Sequence, residues 1–140
     1  MVKILWIESQ PELETYKQIS LLKERYQYFS FNIAKSIEKA IEEMEKIRFG
    51  LVISAMRVNL VEKENKLNIL LQPTGLALWR ILRKDKIKGK TPPDVPVIIV
   101  STIIDQKTKK AAMSIEPPPV AYIEKPTNIS ELANAVKIIF

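Results

Sequence analysis

The segment from Leu51 to Arg57, with the sequence LVISAMR, constrains the fold of this chain most strongly. Its first five residues form a short apolar run with β-branched residues and no charge, and Gly50 precedes them. Such a run is typical of a strand buried on both faces, at the centre of a parallel sheet. In open α/β sheets, ligands and catalytic groups gather at the carboxyl ends of the strands. Ala55 stands at that position, and its methyl group offers no chemistry.

Further apolar runs predict the other strands of the sheet. Strands are predicted at Val2–Ile7, Tyr26–Ile33, Leu51–Ala55, Val97–Val100 and Val120–Glu124. They alternate with helical patterns, which predicts an α/β fold with a parallel sheet between two layers of helices. Right-handed crossovers and the chain length favour a flavodoxin-like, doubly wound (βα)5 fold with the strand order 2-1-3-4-5. We therefore expect a single domain over residues 1–140.

The predicted helices show apolar faces or start signals. The apolar positions are Leu13, Tyr16, Ile19 and Leu22 in the first helix, Ile37, Ala40, Ile41, Met44 and Ile47 in the second, Leu78, Trp79 and Leu82 in the third, and Ile129, Leu132, Ala133, Val136 and Ile139 in the fifth. The fourth helix is predicted over about 105–114, with Asp105 as its cap. Ser9 with Glu12, and Asn128 with Glu131, have the spacing of a capping box, which predicts where the first and fifth helices begin.

Residues 58–73 form an inserted arm between the third strand and the third helix. The arm mixes Asn, Lys and Glu with Leu, Ile and Val, so it is too apolar for a disordered linker and too irregular for a helix prediction. A loop this long in a compact domain is usually functional or carries structure of its own. Two interpretations stay open, an arm that covers the edge of the sheet and an arm that docks a partner.

The composition excludes several kinds of chemistry. The chain has no cysteine and no histidine, which excludes disulfides, thiolate nucleophiles, Cys/His zinc sites and Ser-His or Cys-His catalytic pairs. Glu8 interrupts the amino-terminal apolar run too early for a signal peptide, and no apolar run approaches the ~18 residues of a membrane span. We therefore expect a cytoplasmic protein with no membrane partner.

The formal net charge of +6 includes one dense cluster of basic residues. The cluster consists of Arg80, Arg83, Lys84, Lys86, Lys88 and Lys90. A solvated helix end explains it, because cations are favourable near helix C-termini. Contact with nucleic acid is the alternative, but no aromatic residues are interleaved there to stack on bases. We favour the solvated helix end.

In the predicted fold, the carboxyl ends of strands one, three, four and five meet in one crevice. The residues delivered there are Glu8 and Ser9, Ala55, Ser101 and Thr102, and Lys125 and Pro126. With these residues in place, the chain resembles the receiver domains of two-component response regulators. The resemblance covers nearly all of the chain apart from the arm. Its pieces are ILWIESQPE at 4–12, LVISAMR at 51–57, GLALWRIL at 75–82, PVIIVS at 96–101 and YIEKP at 122–126.

The resemblance implies roles for residues of the crevice. In that family an aspartate ending strand three accepts a phosphoryl group, and an acidic pair after strand one holds magnesium. A hydroxyl on strand four and a Lys-Pro pair on strand five contact the phosphoryl group, and an aromatic on strand five turns inward on activation. Ser101 matches the hydroxyl, Lys125 and Pro126 match the pair, and Tyr122 matches the aromatic, so Ser101, Tyr122 and Pro126 are switch-like residues. The resemblance also implies a cis Lys125–Pro126 peptide.

Two departures from the family pattern bear on function. Ala55 replaces the phosphoacceptor, and Ser9 replaces one acid of the pair, which leaves Glu8 alone. Aspartyl phosphate needs a carboxylate nucleophile, and magnesium wants several hard oxygen ligands. Ser54 has no neighbouring base, so we assign it to the core. Glu8, Ser9, Ala55, Ser101 and Lys125 thus form a vestigial phosphorylation site, for which we expect no catalysis, metal or cofactor.

Lys125 needs a partner if it points into the crevice, because a buried unpaired ammonium is costly. Glu8 is the only acid that the predicted strand ends place nearby. The sequence therefore predicts a Glu8–Lys125 ion pair in the former phosphate site.

We expect a phosphorylation-independent, receiver-like (pseudo-receiver) domain that acts as a protein-interaction module in signal transduction or transcriptional regulation. Its output surface would be the fourth helix, fifth strand and fifth helix, or the arm at 58–73. Lys107, Lys109 and Lys110 favour an acidic partner or a homodimer mate there. The alternatives are a true phosphorelay receiver with a displaced acidic site, and a nucleic-acid-associated regulator that uses the Arg80–Lys90 cluster. The last helix runs to residue 140, so we expect no output domain after it.

Overall fold

The computed structural model describes residues 1–56, 58, 74–84, 87, 89–102, 106–125 and 129–140. Five strands and five helices alternate within these ranges. They are β1 (Val2–Ile7), α1 (Leu13–Arg25), β2 (Phe29–Ala34), α2 (Ile37–Lys46), β3 (Leu51–Ser54), α3 (Thr74–Arg83), β4 (Val97–Ser101), α4 (Gln106–Met113), β5 (Ala121–Glu124) and α5 (Ile129–Ile139). Of the predicted arm only residue 58 is described, and the predicted caps Asp105 and Asn128 lie outside the described residues.

The strands form one parallel sheet in the order β2-β1-β3-β4-β5, which confirms the flavodoxin-like prediction. Ile7 lies opposite Ser54, and Ser54 lies opposite Ile99. On the other side of β4, Ser101 lies opposite Glu124. The carboxyl ends of β1, β3, β4 and β5 therefore reach the same edge of the sheet.

Side chains that alternate along the strands supply two apolar clusters, one on each face of the sheet. Leu5 on β1 belongs to the cluster formed with α2, α3 and α4, and its neighbour Ile4 belongs to the cluster formed with α1 and α5. All four residues of β3 are buried, as its uncharged sequence predicts. The packing face predicted for α3 is confirmed as well, since Leu78, Trp79 and Leu82 are buried.

The predicted start and apolar face of α1 are wrong in part. The helix begins at Leu13 with Glu12 as its N-cap, so Ser9 is not the cap. Glu12 forms its capping box with Thr15 instead, through the same three-residue spacing. Leu13 is 73% exposed and Tyr16 is 46% exposed. A polar Thr15 takes the buried place in the first turn because it bonds to another buried polar residue, described below.

The predicted bounds of β2 are also wrong at its start. Tyr26 is the C-cap of α1, and its N–H donates to the carbonyl oxygen of Leu22 at 2.8 Å. The aromatic residues here form a cluster at the α1–β2 turn, in which the rings of Tyr26 and Phe29 stack at 4.7 Å. The aromatic residues that suggested a strand from Tyr26 therefore belong partly to this cluster. The strand itself begins at Phe29.

No helix in the described ranges has the length and apolar character to cross a membrane.

Candidate functional site

Backbone hydrogen bonds fix the residues that follow β3 and β5 at the carboxyl edge of the sheet. The N–H of Ala55 donates to the carbonyl oxygen of Ile7 at 3.0 Å. The N–H of Lys125 donates to the carbonyl oxygen of Ser101 at 2.9 Å. These bonds extend the pairing of the strands by one residue, and Glu8 follows Ile7 at the same edge. The sheet thereby brings Glu8, Ala55, Ser101 and Lys125 to one crevice.

The predicted ion pair between Glu8 and Lys125 is confirmed. The ammonium Nζ of Lys125 lies 2.7 Å from the carboxylate Oε2 of Glu8. The side chain of Glu8 is only 7% exposed and that of Lys125 is 22% exposed. A charge-assisted bond this short supplies the partner that the buried carboxylate needs. The pair joins the end of β1 to the end of β5.

The second oxygen of Glu8 is also engaged, by a residue that the sequence reasoning missed. The hydroxyl Oγ1 of Thr15 donates to Oε1 of Glu8 at 2.6 Å, and both residues are buried. Thr15 lies on α1, seven residues after Glu8. Its sequence signal was the three-residue spacing from Glu12, which is that of a capping box. The Glu8 carboxylate therefore has a donor on each of its two oxygens.

Ala55 follows β3 directly and is half-buried. It packs against the apolar cluster formed with α2, α3 and α4, beside a small cavity of about 10 Å³ with mainly apolar walls. Ser54 is buried, and its hydroxyl donates to the carbonyl oxygen of Ala55 at 2.8 Å, which confirms its assignment to the core. Position 55, directly after β3, carries a methyl group and no carboxylate.

Gly75 lets the start of α3 close directly onto the chain after β3. Its N–H donates to the carbonyl oxygen of Met56 at 2.8 Å. A Cβ atom at position 75 would lie 2.2 Å from the carbonyl oxygen of Ala55, a separation that no side chain can adopt. A glycine is required for this close backbone approach.

The described residues do not fit a magnesium site of the kind that the family resemblance implies. Glu8 already accepts two hydrogen bonds, and Ala55 has no side-chain oxygen. Magnesium is usually held by one or two carboxylates together with waters or phosphate oxygens. Among the described residues, no three His, Cys, Asp or Glu side chains form a group that could hold a metal ion. Glu62 and Glu64, the acids of the arm, lie outside the described residues.

The other predicted site residues that the structure describes lie on β4 and β5 or directly after β1. Ser101 is buried at the end of β4, and Ser9 is half-buried beyond β1. Tyr122 on β5 is half-buried, and the Nζ of Lys109 lies 5.5 Å from the centre of its ring. The same ammonium lies 4.0 Å from a carboxylate oxygen of Glu124. Pro126, and with it the predicted cis peptide, lies outside the described residues.

Arg83 is not a solvated member of the basic cluster, so this part of the prediction is wrong. Its guanidinium donates to three carbonyl oxygens, those of Pro93 at 2.8 Å, Val95 at 2.6 Å and Pro117 at 3.1 Å. It also lies over the ring of Trp79 at 5.5 Å. The pKa of the Arg83 guanidinium is lowered from its usual value because the group is partly buried, and nearby Asp94 offsets only part of this effect. Arg83 therefore ties the end of α3 to the loops before β4 and β5.

The solvated interpretation holds for three other cluster residues, since Arg80, Lys84 and Lys90 are exposed. Lys86 and Lys88 lie outside the described residues.

Comparisons with known proteins identify the fold. No family model and no curated protein sequence matches this chain. Solved structures of response regulators match along nearly all of it. A DNA-binding response regulator of the LuxR family from Staphylococcus aureus is 18% identical with a TM-score of 0.72, over 99% of this chain and 98% of that one. A chemotaxis response regulator of Vibrio cholerae is 14% identical with a TM-score of 0.70, over 100% and 99%.

A signal receiver domain of a two-component histidine kinase from Clostridium thermocellum is similar to the same degree. It is 15% identical with a TM-score of 0.71, over 99% of this chain and 96% of that chain. At these identities the similarity establishes the fold, which is that of receiver domains.

Proposed function

We propose that this chain is a receiver-like signalling domain that works without phosphorylation, as a cytoplasmic protein-interaction module. The proposal rests on which side chains occupy the crevice and on how they are bonded. Ala55 provides no nucleophile, and both oxygens of the only described carboxylate beside it are held by Thr15 and Lys125. A carboxylate nucleophile is the chemical requirement for an aspartyl phosphate. We infer that Glu8, Ser9, Ala55, Ser101 and Lys125 are a vestigial phosphorylation site.

In this proposal the Glu8–Lys125 ion pair replaces the contact between a lysine and a phosphoryl group. In the family that the chain resembles, the lysine of strand five contacts the phosphoryl group. Here the ammonium of Lys125 contacts an internal carboxylate 117 residues away in sequence. The ends of β1 and β5 would thus be held together without a phosphodonor. The domain would signal through its surface.

The proposed docking surface is formed by α4, β5 and α5. Lys107 and Lys110 are exposed on α4, and Lys109 covers the ring of Tyr122 on β5. Helix α4, over Gln106–Met113, contains three lysines and no acidic residue. A positive helix of this kind attracts an acidic surface, either of another protein or of a second copy of this chain. The arm at 58–73 is the other candidate for docking.

Intact-mass spectrometry after incubation with acetyl phosphate and MgCl₂ tests the proposal. We expect the mass of the protein to remain unchanged, whereas a receiver domain with an intact aspartate, treated in parallel, gains one phosphoryl group. An adduct on this chain would overturn the proposal and would favour a phosphorelay receiver with a displaced acidic site. Peptide mapping of such an adduct would then identify the acceptor.

A further inference from the structure

We propose that Thr15 is a positioning residue of the crevice, whose hydroxyl holds the Glu8 carboxylate against Lys125 and away from cations. The inference rests on the proposed function, because it explains how the crevice stays closed without a phosphoryl group. It adds a residue of α1 to a site whose predicted members lie at or directly after the ends of strands.

The direction of the hydrogen bond follows from the partners of the hydroxyl. The N–H of Glu12 donates to Oγ1 of Thr15 at 3.3 Å, so that oxygen acts as an acceptor there. The hydroxyl has one proton, and an ionised carboxylate can only accept. The proton of Thr15 therefore points to Glu8 Oε1, at 2.6 Å. Each partner in this chain of hydrogen bonds has a fixed role.

The first turn of α1 fixes the position of this hydroxyl. The backbone N–H of Thr15 is itself bonded to the Glu12 side chain in the capping box. Thr15 is 3% exposed, so its hydroxyl makes its bond to Glu8 away from the protein surface. The carboxylate thus meets one donor from α1 and one from the end of β5. Two donors in fixed directions determine its orientation.

This orientation bears on cation binding. A cation at Glu8 would have to share the carboxylate with the hydroxyl of Thr15 and with the ammonium of Lys125, whose positive charge 2.7 Å from Oε2 repels it. Displacing the hydroxyl of Thr15 would leave a buried donor without a partner, which is costly. Removing the hydroxyl takes away one of the two restraints, so the ion pair should loosen and one carboxylate oxygen should become available.

The experiment compares Thr15→Val, which removes the hydroxyl at nearly constant shape, with Thr15→Ser, which keeps it. The readout is the exchange of the Lys125 ammonium protons with water, followed by ¹⁵N NMR of the full chain. We expect Thr15→Val to accelerate this exchange by about tenfold or more, because a bond to a charged group is lost. Thr15→Ser should stay close to the wild type. Ser20→Ala, which removes an exposed hydroxyl from the same helix, is the matched control.

Because Thr15 also takes part in the capping box, Glu12→Ala separates the two roles. This variant removes the Glu12 side chain from the cap but keeps the backbone N–H of residue 12 that bonds to Oγ1 of Thr15, so α1 should lose stability while Lys125 exchange stays as in the wild type. If Thr15→Val does not fold, Thr15→Ala takes its place. Unchanged Lys125 exchange on loss of the hydroxyl, or equal acceleration in Glu12→Ala, would overturn the inference. Neither outcome would produce the phosphoryl adduct that overturns the proposed function.

Discussion

A single carboxylate determines the chemistry of the crevice at the residue scale. Glu8 is almost completely buried, and its two oxygens accept from Thr15 and Lys125 at 2.6 and 2.7 Å. A buried ion pair is weak evidence for stability, but breaking one by removing a single partner leaves an uncompensated charge. The pair therefore makes the two residues interdependent. That interdependence is measurable.

Lys125→Met should destabilise the domain by about 3 kcal/mol, the lower end of the usual range for a broken buried pair, because Lys125 keeps some solvent contact. Urea denaturation measures the change. The double variant Glu8→Gln with Lys125→Met should lose less than the sum of the two single variants, since no charge is then left unpaired. Lys137→Met, at an exposed position on α5, is the control. Additive single effects would contradict a direct pair.

At the element scale, α3 is held at both of its ends by specific polar contacts. Its start closes on the chain after β3 through Gly75, and its end is tied down by Arg83. These contacts place the buried face of α3 against the cavity beside Ala55. The position of α3 thus depends on the glycine at position 75 and on the guanidinium of Arg83.

Gly75→Ala should destabilise the domain by about 1–3 kcal/mol, because the added methyl group overlaps a backbone oxygen and α3 must shift. The amides of Ala55 and Met56 should shift with it in ¹⁵N–¹H spectra, since they lie at the contact. Ala77→Ser, on the exposed side of the same helix, should change neither quantity appreciably. Equal stability of Gly75→Ala and the wild type would show that the close approach is absent in solution.

Arg83→Met should cost about 2 kcal/mol or more, because a charged donor to three carbonyl oxygens is lost. Arg80→Met should stay within about 0.5 kcal/mol of the wild type, since Arg80 is exposed. Thermal or urea unfolding of the two variants measures the difference. Similar losses for both would mean that Arg83 acts only as a surface charge.

The exposed basic residues of this region should not produce specific nucleic-acid binding. With Arg83 engaged internally, the described part of the cluster offers Arg80, Lys84 and Lys90. Any binding of duplex DNA at low salt should be lost by about 200 mM salt, because a purely electrostatic contact weakens steeply as salt is added. Fluorescence anisotropy measures this. Binding that persists above that concentration and depends on sequence would favour the nucleic-acid alternative.

For the whole molecule, the sequence predicted the order of the elements and of the strands because strands buried on both faces leave a strong apolar signal. β3 and β4 illustrate this, since every residue in them is buried. The Glu8–Lys125 pair was predictable once the topology brought two strand ends together. The contacts of Thr15 and Arg83 were not, because they depend on how helices and loops pack. The first turn of α1 looked apolar in sequence, yet a polar contact decided its orientation.

The side chains of the crevice bond to one another, so a phosphoryl group and its cation should find no site there. Titration of the wild-type protein with MgCl₂ and beryllofluoride, a mimic of the phosphoryl group, followed by ¹⁵N–¹H NMR, measures this binding. We expect the amides of Glu8, Ala55 and Lys125 to shift no more than those of exposed residues far from the crevice. Saturable shifts confined to these amides would show that a cation and a phosphoryl mimic bind in the crevice, and would rule out a domain that works without phosphorylation.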